Sequence, residues 1–387
     1  MVRLGVSVYP DLSSLEEIDS YLKLASSYGF TRVFSSMFSV EDTPENIVSY
    51  FKKFIEIAHH YKMEVSLDVN PMFLETLGVT PEDISLFHEI GCDIIRLDMC
   101  YGGDRDIQMI NNPYGIVIEF NASGTPIQGY IDAGVSPDKF IVCHNFYPQR
   151  YTALKWKDFN DINKEVSKYG VKIGAFISSH APNTHGVWDA KCGLPTVEIH
   201  RDLPIDLQLR HMLATKMVDD ILIGNAYASE EEFKAIQEVV NKPLPEIKND
   251  PIMQMITKGN PSFGKSQVIL KANIEKDISD IEREILFEYA PHFETGDASE
   301  WMIRSRFSRM KYSKIGVPYR PVKQSHFHRG DILIVNNNYQ HYAGEVQICL
   351  MDMVNDGERN LVGHLDQDEL RMLELIGKGD IFSFIEK

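Results

Sequence analysis

The sequence predicts an α/β protein that consists of a (β/α)₈ TIM barrel followed by a smaller β-rich domain. Three observations predict this. Eight strand-like runs alternate with helix-like runs in the first 230 residues, their spacing is near the roughly 30 residues of a βα unit, and only short β-type runs follow residue 252. Because eight βα units close a parallel sheet on itself, we predict a barrel over 1–241, a linker over 242–252 and a second domain over 253–387.

The strand-like runs are rich in β-branched and aromatic residues and are bounded by turn residues. In order they are RLGVSVYP, TRVFSSMF, MEVSLDVNP, CDIIRLDMC, YGIVIEFNAS, KFIVCHNFYP, VKIGAFISSH and DDILIGNAYAS. A doubly wound open sheet is the alternative. It predicts a glycine-rich turn after the first strand, and the segment YPDLSSLEE has no glycine, so the barrel is favoured.

Helix starts and stops agree with this division. A capping residue followed by an acidic first turn predicts helices after four positions, and glycines stand where the predicted helices end. The predicted starts are at Thr43, Thr80, Ser136 and Ser229, and the glycines are Gly29, Gly91, Gly134 and Gly170.

The proposed linker lies in NKPLPEIKNDP, which has three prolines in eleven residues. The second domain then shows the runs SQVILKANI, WMIRSRF, DILIVNN, EVQICLMDM and DIFSFI. Short runs of this type, separated by turns, predict a compact antiparallel or barrel-like domain.

Charge and cysteine content restrict the function. The formal net charge of -17 argues against binding to nucleic acid or to an anionic membrane, so a phosphorylated small molecule would need a local basic pocket. The five cysteines include no C-x-x-C pair, which predicts a reducing compartment and no zinc site. The start MVRLGVSVYP lacks the features of a signal peptide, and no apolar run reaches about 18 residues, so we predict a cytoplasmic protein without a membrane span.

Polar residues gather where the predicted barrel strands end, which is where TIM barrels place their active sites. Period-two alternation puts one set of them on the face that points into the barrel. This set is Glu64, Ser66, Asp68 and Asn70 on strand three, Arg96 and Asp98 on strand four, and Glu119 and Asn121 on strand five.

We expect the deeper pair, Glu64 and Arg96, to form a buried ion pair. Asp68, Asp98 and Glu119 are predicted at the strand ends, where three carboxylates need cations, a metal or a shared proton. Paired carboxylates with different pKa values are what glycoside cleavage requires, one as acid and one as base or nucleophile. A separation near 5 Å favours retention of configuration and a wider one favours inversion, and the sequence does not decide between them.

Several other residues could contact a substrate. His144 could be an acid or a base, or a hydrogen-bonded structural residue. Rim aromatics could stack on a sugar ring or simply pack; they are Tyr9, Tyr101, Phe146, Tyr147 and Tyr227. In the second domain, Arg304 and Arg306 are predicted on one side of a strand, with Arg320 nearby, as either a phosphate clamp or a solvated face.

Specific segments resemble the bacterial 6-phospho-N-acetylmuramidases, a family once labelled as outer surface proteins. They are LGVSVYPDLSSLEE, SLDVNP, IIRLDMCYGG, IEFNASGT, CHNFYPQRYT, RSRFSRM and RGDILIVNNNYQHYAGEVQI, and together they span nearly the whole chain. The resemblance implies a barrel followed by a cyclophilin-like β domain. It also implies hydrolysis of 6-phospho-MurNAc-GlcNAc in cell-wall recycling, with the disaccharide delivered by a phosphotransferase transporter.

On this hypothesis Asp98 and Glu119 are the working carboxylates and Asp68 is a third candidate. We predict that substrate hydrogen bonds come from Asn70, Asn121, His144, Asn145, Tyr147 and Asn225, and that phosphate binds to Arg304, Arg306 and Arg320. We expect no cofactor and no metal, and the sequence allows a homodimer without determining it.

Two other functions remain open. In a metal-dependent sugar-phosphate isomerase or epimerase, the carboxylates and His144 would hold a divalent ion. A non-catalytic carbohydrate-binding protein would be exported, which the amino terminus argues against. A pyridoxal-phosphate enzyme is disfavoured because none of the eight strand ends carries a lysine for the Schiff base.

Overall fold

The computed structural model describes residues 2–37, 40, 42–187, 190–243, 267–289 and 291–387. The chain divides into two compact units, Met1–Val240 and Asn241–Lys387. From residue 244 onward the predicted linker lies outside the described residues. The exact domain boundaries therefore stay predictions.

The first unit is a closed barrel of eight parallel strands, as the alternating pattern predicted. The strands are β1 (Arg3–Ser7), β2 (Arg32–Ser36), β3 (Glu64–Val69), β4 (Ile94–Leu97), β5 (Val117–Asn121), β6 (Phe140–Cys143), β7 (Lys172–Ile177) and β8 (Asp220–Ile223). Strand β1 pairs with both β2 and β8, and this second pairing closes the sheet.

Helices connect these strands. They are α1 (Leu15–Ser27), α2 (Pro44–His60), α3 (Pro71–Thr76), α4 (Ser85–Glu89), α5 (Asp104–Ile110), α6 (Ile127–Asp132), α7 (Trp156–Ser167), α8 (Ile205–Ala214) and α9 (Glu230–Val240), with 3₁₀ turns at Pro10–Leu12 and Glu198–His200. Thr43 and Ser229 cap helices as predicted, and their side-chain oxygens accept hydrogen bonds from the third residue of each helix. The four predicted stop glycines all have positive φ.

Two predicted helix starts were wrong. The backbone of Thr80 pairs with that of Asp83 in a turn, and helix α4 begins only at Ser85. After Ser136 there is no helix, because Asp138 is separated from β6 by a single residue. Ser136 and Asp138 instead close a tight turn, with the amide of Lys139 donating to the Ser136 carbonyl.

The register confirms the predicted alternation inside the barrel. Asp68 lies beside Arg96 in the β3–β4 pair, and Arg96 lies beside Glu119 in the β4–β5 pair. Because neighbouring residues across a parallel sheet point to the same face, these three side chains share the barrel interior. The interior of this barrel is therefore charged over part of its height.

The second unit contains a seven-stranded sheet in the order β10-β17-β9-β16-β13-β14-β11, and a separate pair β12-β15. Its strands are β9 (Gln267–Ile274), β10 (His292–Phe293), β11 (Met302–Ser305), β12 (His326–Phe327), β13 (Asp331–Val335), β14 (Val346–Cys349), β15 (Met353–Val354), β16 (Arg359–Leu365) and β17 (Ile381–Glu386). Its helical segments are α10 (Asp280–Arg283), a π-helical turn (Glu284–Glu288), α11 (Arg309–Ile315) and 3₁₀ turns at Asn337–Tyr342 and Glu369–Leu375.

The sheet is antiparallel except where β17 pairs with β9. Each of the five β-type runs predicted for this region contains at least one strand. Among the described residues, no helix is both long enough and apolar enough to cross a membrane.

Candidate active site

The carboxyl-terminal mouth of the barrel brings together two of the three predicted carboxylates. Asp68 is the next-to-last residue of β3, and Asp98 directly follows β4. The amide of Asp98 donates to the carbonyl of Val69 at 2.9 Å, which extends the pairing of the two strands by one residue. Both side chains are therefore held at neighbouring strand ends, where TIM barrels carry out their chemistry.

Arg96 connects the two carboxylates. Its Nη1 donates to Asp68 Oδ1 at 2.5 Å and lies 3.8 Å from Asp98 Oδ1. Its Nη2 donates to Asn145, which follows β6, and its Nε lies 3.6 Å from Glu119 Oε1. Exposure differs strongly between the two acids, since the side chain of Asp98 is 41% exposed and that of Asp68 is 9% exposed.

Glu119, predicted as a working carboxylate, lies deeper in the barrel. Its side chain is fully buried, and Arg32 Nη2 donates to its Oε2 at 2.5 Å. The same guanidinium donates to Asp220 at 2.7 Å and to Ser66 at 3.1 Å. Solvent does not reach Glu119 in this arrangement, so it fills the barrel interior instead of lining the mouth.

The predicted ion pair between Glu64 and Arg96 does not form. Glu64 is the first residue of β3 and pairs with Arg3 at the amino-terminal end of the barrel, where its side chain is 51% exposed. Arg96 lies two residues into β4 and beside Asp68. Period-two alternation places both on the inner face, but it does not give their depth, and the depth separates them.

The charges at the mouth do not balance. Asp220 is paired with Arg3 and Arg32, and Glu119 mainly with Arg32, so Asp68 and Asp98 depend on Arg96, which also lies 3.6 Å from Glu119. Burial raises the pKa of Asp68 to about 6, and the nearby charges of Asp98 and Glu119 add to this, although Arg96 acts in the opposite direction. Asp68 therefore keeps its proton to a higher pH than an ordinary aspartate.

Asp106 shapes the loop between β4 and α5, and the sequence interpretation did not single it out. Its buried carboxylate accepts from the amides of Tyr101 and Gly102, both at 2.8 Å, and from the hydroxyl of Tyr130 at 2.5 Å. Gly102 and Gly103 have φ of 89° and 58°, a region where glycine is favoured. Asp106 thus fixes the loop that begins at Asp98, although its position in a helical first turn is typical of a solvated acid.

We expect Asp106→Asn to lower kcat by roughly 10²-fold, because a misplacement of about 1 Å at a catalytic group has that effect. Hydrogen exchange at the amides of Tyr101 and Gly102 should accelerate in the same variant, as measured by mass spectrometry. Asp158→Asn, in the exposed first turn of α7, is the matched control and should change neither quantity. An unchanged exchange rate in Asp106→Asn would contradict the positioning role.

The other predicted hydrogen-bonding residues divide into two groups. Asn145 and Tyr147 are partly exposed at the mouth. Burial raises the pKa of Tyr147, and the charge of Arg96 acts in the opposite direction. Asn70 and Asn121 are also partly exposed, but their side-chain oxygens already accept from the amides of Phe73 and Ser123, both at 2.9 Å. Their amide nitrogens are the groups that could meet a substrate.

His144 and Asn225 are both buried. His144 is fully buried on the outer face of β6, since Cys143 and Asn145 point inward, and its Nε2 hydrogen-bonds Asn163 at 2.7 Å. Burial lowers the pKa of His144 to about 4. Asn225 is buried as well and exchanges hydrogen bonds with the backbone of Ser179 at 2.9 Å. Both side chains form hydrogen bonds within the protein. For His144 this supports the alternative of a hydrogen-bonded structural residue.

The rim aromatics mostly pack. Tyr9 is fully buried, and its hydroxyl donates to the carbonyl of Gly224 at 2.5 Å. Phe146 contacts Phe34 and Phe176 edge to face, and Tyr227 packs on Tyr21. Tyr101, Phe146, Tyr147 and Tyr227 are all partly exposed, and of these Tyr101 and Tyr147 lie in the loops next to the carboxylates.

In the second unit the three predicted arginines do not form one cluster. Arg304 lies on β11 and binds Glu345 through two hydrogen bonds of 2.6 and 3.0 Å. Arg306 lies just beyond that strand and pairs with Asp297. Arg320 binds Asp277 and the carbonyl of Leu361 elsewhere on the unit. The prediction of a single three-arginine clamp therefore needs revision.

A cavity of about 530 Å³ lies at the other end of the barrel. Its lining includes Arg3, Glu64 and Lys172, which are the first residues of their strands. In TIM barrels this amino-terminal face serves stability, while chemistry takes place at the carboxyl-terminal face. The location of this cavity therefore argues against a catalytic role.

A TIM barrel whose mouth holds two carboxylates on one arginine, one exposed and one buried with a raised pKa, is the arrangement expected of a glycosidase. Family comparison agrees. The amino-terminal model of the 6-phospho-N-acetylmuramidases matches residues 4–238, and the carboxyl-terminal model matches residues 268–385. The chain belongs to the 6-phospho-N-acetylmuramidase family, and it is a glycosidase that acts on a small sugar substrate.

Solved structures give a similar picture of the fold. An uncharacterized B. cereus protein is 34% identical over 100% of both chains, with a TM-score of 0.83. A conserved Enterococcus faecalis protein of unknown function is 21% identical over 100% of this chain and 97% of its own, with a TM-score of 0.67. No curated protein matches the chain. The family match decides against the isomerase and the non-catalytic binding protein.

Proposed function

We propose that Asp68 is the general acid and Asp98 the nucleophile in hydrolysis of the 6-phospho-N-acetylmuramyl-GlcNAc linkage. One observation carries this assignment: the Oδ1 atoms of both residues lie on the same nitrogen, Nη1 of Arg96, at 2.5 and 3.8 Å. The two carboxyl groups therefore lie close enough together to act on the same glycosidic bond. Glu119, our earlier candidate, is replaced by Asp68 because it is sealed inside the barrel.

Asp68 suits the acid role because its raised pKa keeps a proton available near neutral pH. In the first step that proton moves to the glycosidic oxygen, the bond from C1 to this oxygen breaks, and GlcNAc leaves as an alcohol. Asp98 forms a bond to C1 in the same step. Water then attacks C1 with Asp68 as the base, which releases the muramic acid phosphate and restores both carboxyl groups.

The separation of the two acids supports a nucleophilic Asp98. Taken together, the two distances to Nη1 are shorter than the roughly 6.5–9.5 Å that separates the carboxyl groups of inverting glycosidases. An inverting enzyme needs that gap for a water molecule. The short separation of these two Oδ1 atoms supports a retaining mechanism for the pair.

We therefore expect the muramic acid phosphate to be released first with the anomeric configuration of the substrate. Proton NMR of the anomeric signal during the first minutes of hydrolysis measures this, before mutarotation mixes the anomers. Initial release of the opposite anomer would exclude Asp98 as nucleophile, while leaving the family assignment intact.

The pH dependence tests the acid. Since Asp68 must be protonated to donate, kcat/KM should fall as the pH rises through about 6. The phosphate of the substrate also titrates near pH 6, so a control is needed. In Asp68→Asn, assayed on a 6-phosphorylated muramide with an activated aryl leaving group, the fall due to the enzyme should disappear. A fall of the same size in this variant would assign it to the substrate.

The finer features of the family resemblance are proposals as well. We place the reaction in cell-wall recycling in the cytoplasm, which is supported by five cysteines that are all free. The mainly antiparallel seven-stranded sheet supports a cyclophilin-like second domain. The net charge of -17 supports a protein that does not bind nucleic acid.

A further inference from the structure

A second cavity, of about 410 Å³, lies entirely within the second unit. It opens over strands β11, β14 and β16, and the residues that line it include Arg304, Gln347, Arg359, Tyr339 and Tyr342. Arg359 and the two tyrosines were not among the residues predicted from the sequence. Every described residue that lines it belongs to the second unit.

A chain of hydrogen bonds holds the polar side of the cavity in place. Arg359 Nε donates to Gln347 Oε1 at 2.8 Å, and Gln347 Nε2 donates to Glu345 Oε1 at 2.9 Å. Arg304 donates to both oxygens of Glu345 through Nε and Nη2. Because Glu345 and Gln347 are buried, their hydrogen bonds hold the two guanidinium groups in fixed positions. Anchored guanidinium groups lose little freedom when they bind an anion.

The two arginines keep hydrogen-bond donors for a ligand. Within the described residues, no acceptor is recorded for Nη1 of Arg304 or for Nη2 of Arg359, although their other nitrogens are occupied. Glu345 faces both Arg304 and Arg309, and Asp297, which also lines the cavity, faces Arg304 and Arg306, so three arginines meet two carboxylates. Guanidinium groups with free N–H pairs bind phosphate and carboxylate through two hydrogen bonds.

The wall next to these arginines is aromatic. The rings of Tyr339 and Tyr342 lie 5.2 Å apart, and Tyr339 is 46% exposed. The guanidinium groups of Arg304 and Arg309 lie over Tyr342 at 5.6 and 4.7 Å from its centroid. An exposed aromatic face offers packing area for the C–H face of a sugar ring, and the nearby Glu358 can accept from sugar hydroxyls.

We infer that this cavity binds a phosphorylated amino sugar, with Arg304 and Arg359 holding the phosphate and Tyr339 and Tyr342 packing on the ring. The inference rests on the proposed function only for the identity of the sugar. It replaces Arg306 and Arg320 of the predicted clamp by Arg359, because Arg306 is paired with Asp297 and Arg320 lies outside the cavity lining.

Isothermal titration of the full-length protein with N-acetylglucosamine 6-phosphate and with N-acetylglucosamine tests this site. We expect the phosphorylated sugar to bind at least about tenfold more tightly, since hydrogen bonds between charged groups are roughly twice as strong as neutral ones. Arg359→Gln should remove that preference, because the amide carries no positive charge for the phosphate. The substitution should leave the fold intact, since the partners of Arg359 are Gln347 and the exposed Asp356. Tyr339→Ala, at an exposed ring, should weaken the binding of both sugars.

Arg329→Gln is the control, because it removes a more exposed arginine of the same unit that does not line the cavity. It should bind both sugars as the parent protein does. Equal affinity for the two sugars, or parent-like binding by both Arg359→Gln and Tyr339→Ala, would overturn the inference. If Arg359→Gln fails to fold, Tyr339→Ala decides alone. Neither sugar contains the cleaved linkage, so failure here leaves hydrolysis by Asp68 and Asp98 untouched.

Discussion

Asp98→Asn is expected to lower the hydrolysis rate by about 10³-fold or more while leaving the fold intact. The amide cannot form the bond to C1, and the exposed side chain makes only a long contact of 3.8 Å to Arg96, so little structure depends on it. Steady-state kinetics on the phosphorylated disaccharide, together with circular dichroism of the variant, measures both parts of this prediction.

The roles of the two acids can be separated by small molecules. In Asp98→Gly, azide should restore turnover and yield a glycosyl azide, because the anion can occupy the space left by the nucleophile. In Asp68→Asn, an aryl leaving group that needs no proton should restore the first step instead. If azide rescued Asp68→Asn and not Asp98→Gly, the assignments would have to be exchanged.

The second large effect concerns stability. Arg32→Met is expected to destabilise the barrel by about 3–5 kcal/mol, because it takes from the buried Glu119 its closest cation and leaves Asp220 with Arg3 alone. The shift of the urea unfolding midpoint measures this. Met has a similar length and is apolar, so lost packing contributes little to the effect.

Arg150→Met is the control for this prediction. Arg150 also binds a carboxylate through two hydrogen bonds, to Asp202, but that pair is exposed and should contribute far less to stability. Adding Glu119→Gln to Arg32→Met should recover part of the lost stability, since it removes the buried charge that lost its closest partner. Equal midpoints for Arg32→Met and Arg150→Met would show that the buried network does not stabilise the barrel.

The fold was predictable because its signals are local. Eight apolar runs at regular spacing need no knowledge of tertiary contacts, and alternation along β3, β4 and β5 correctly placed Asp68, Arg96 and Glu119 on one face. The same alternation shows that His144 points outward, since it follows the inward Cys143. The alternation of side chains along strand six is therefore enough to predict the orientation of His144.

Depth inside the barrel could not be predicted. It depends on the stagger between strands, which no single strand records, and this is why Glu119 was expected at the mouth and Glu64 in the interior. Contacts between residues far apart in the sequence could not be predicted either. Arg32, for example, binds Asp220, which lies 188 residues away. Arg359 of the second unit stands near no other arginine in the sequence, and only the sheet brings it beside Gln347.

Arg96 contacts the buried Glu119 as well as the two acids at the mouth, so residues deep in the barrel affect the acids that carry out the reaction. Arg32 holds Glu119, and Glu119 in turn leaves Arg96 largely to the two acids at the mouth. Were Arg32 removed, Glu119 would compete for Arg96, and Asp68 would hold its proton still more tightly. The working pH of the enzyme can therefore be tuned by substitutions that never touch the substrate.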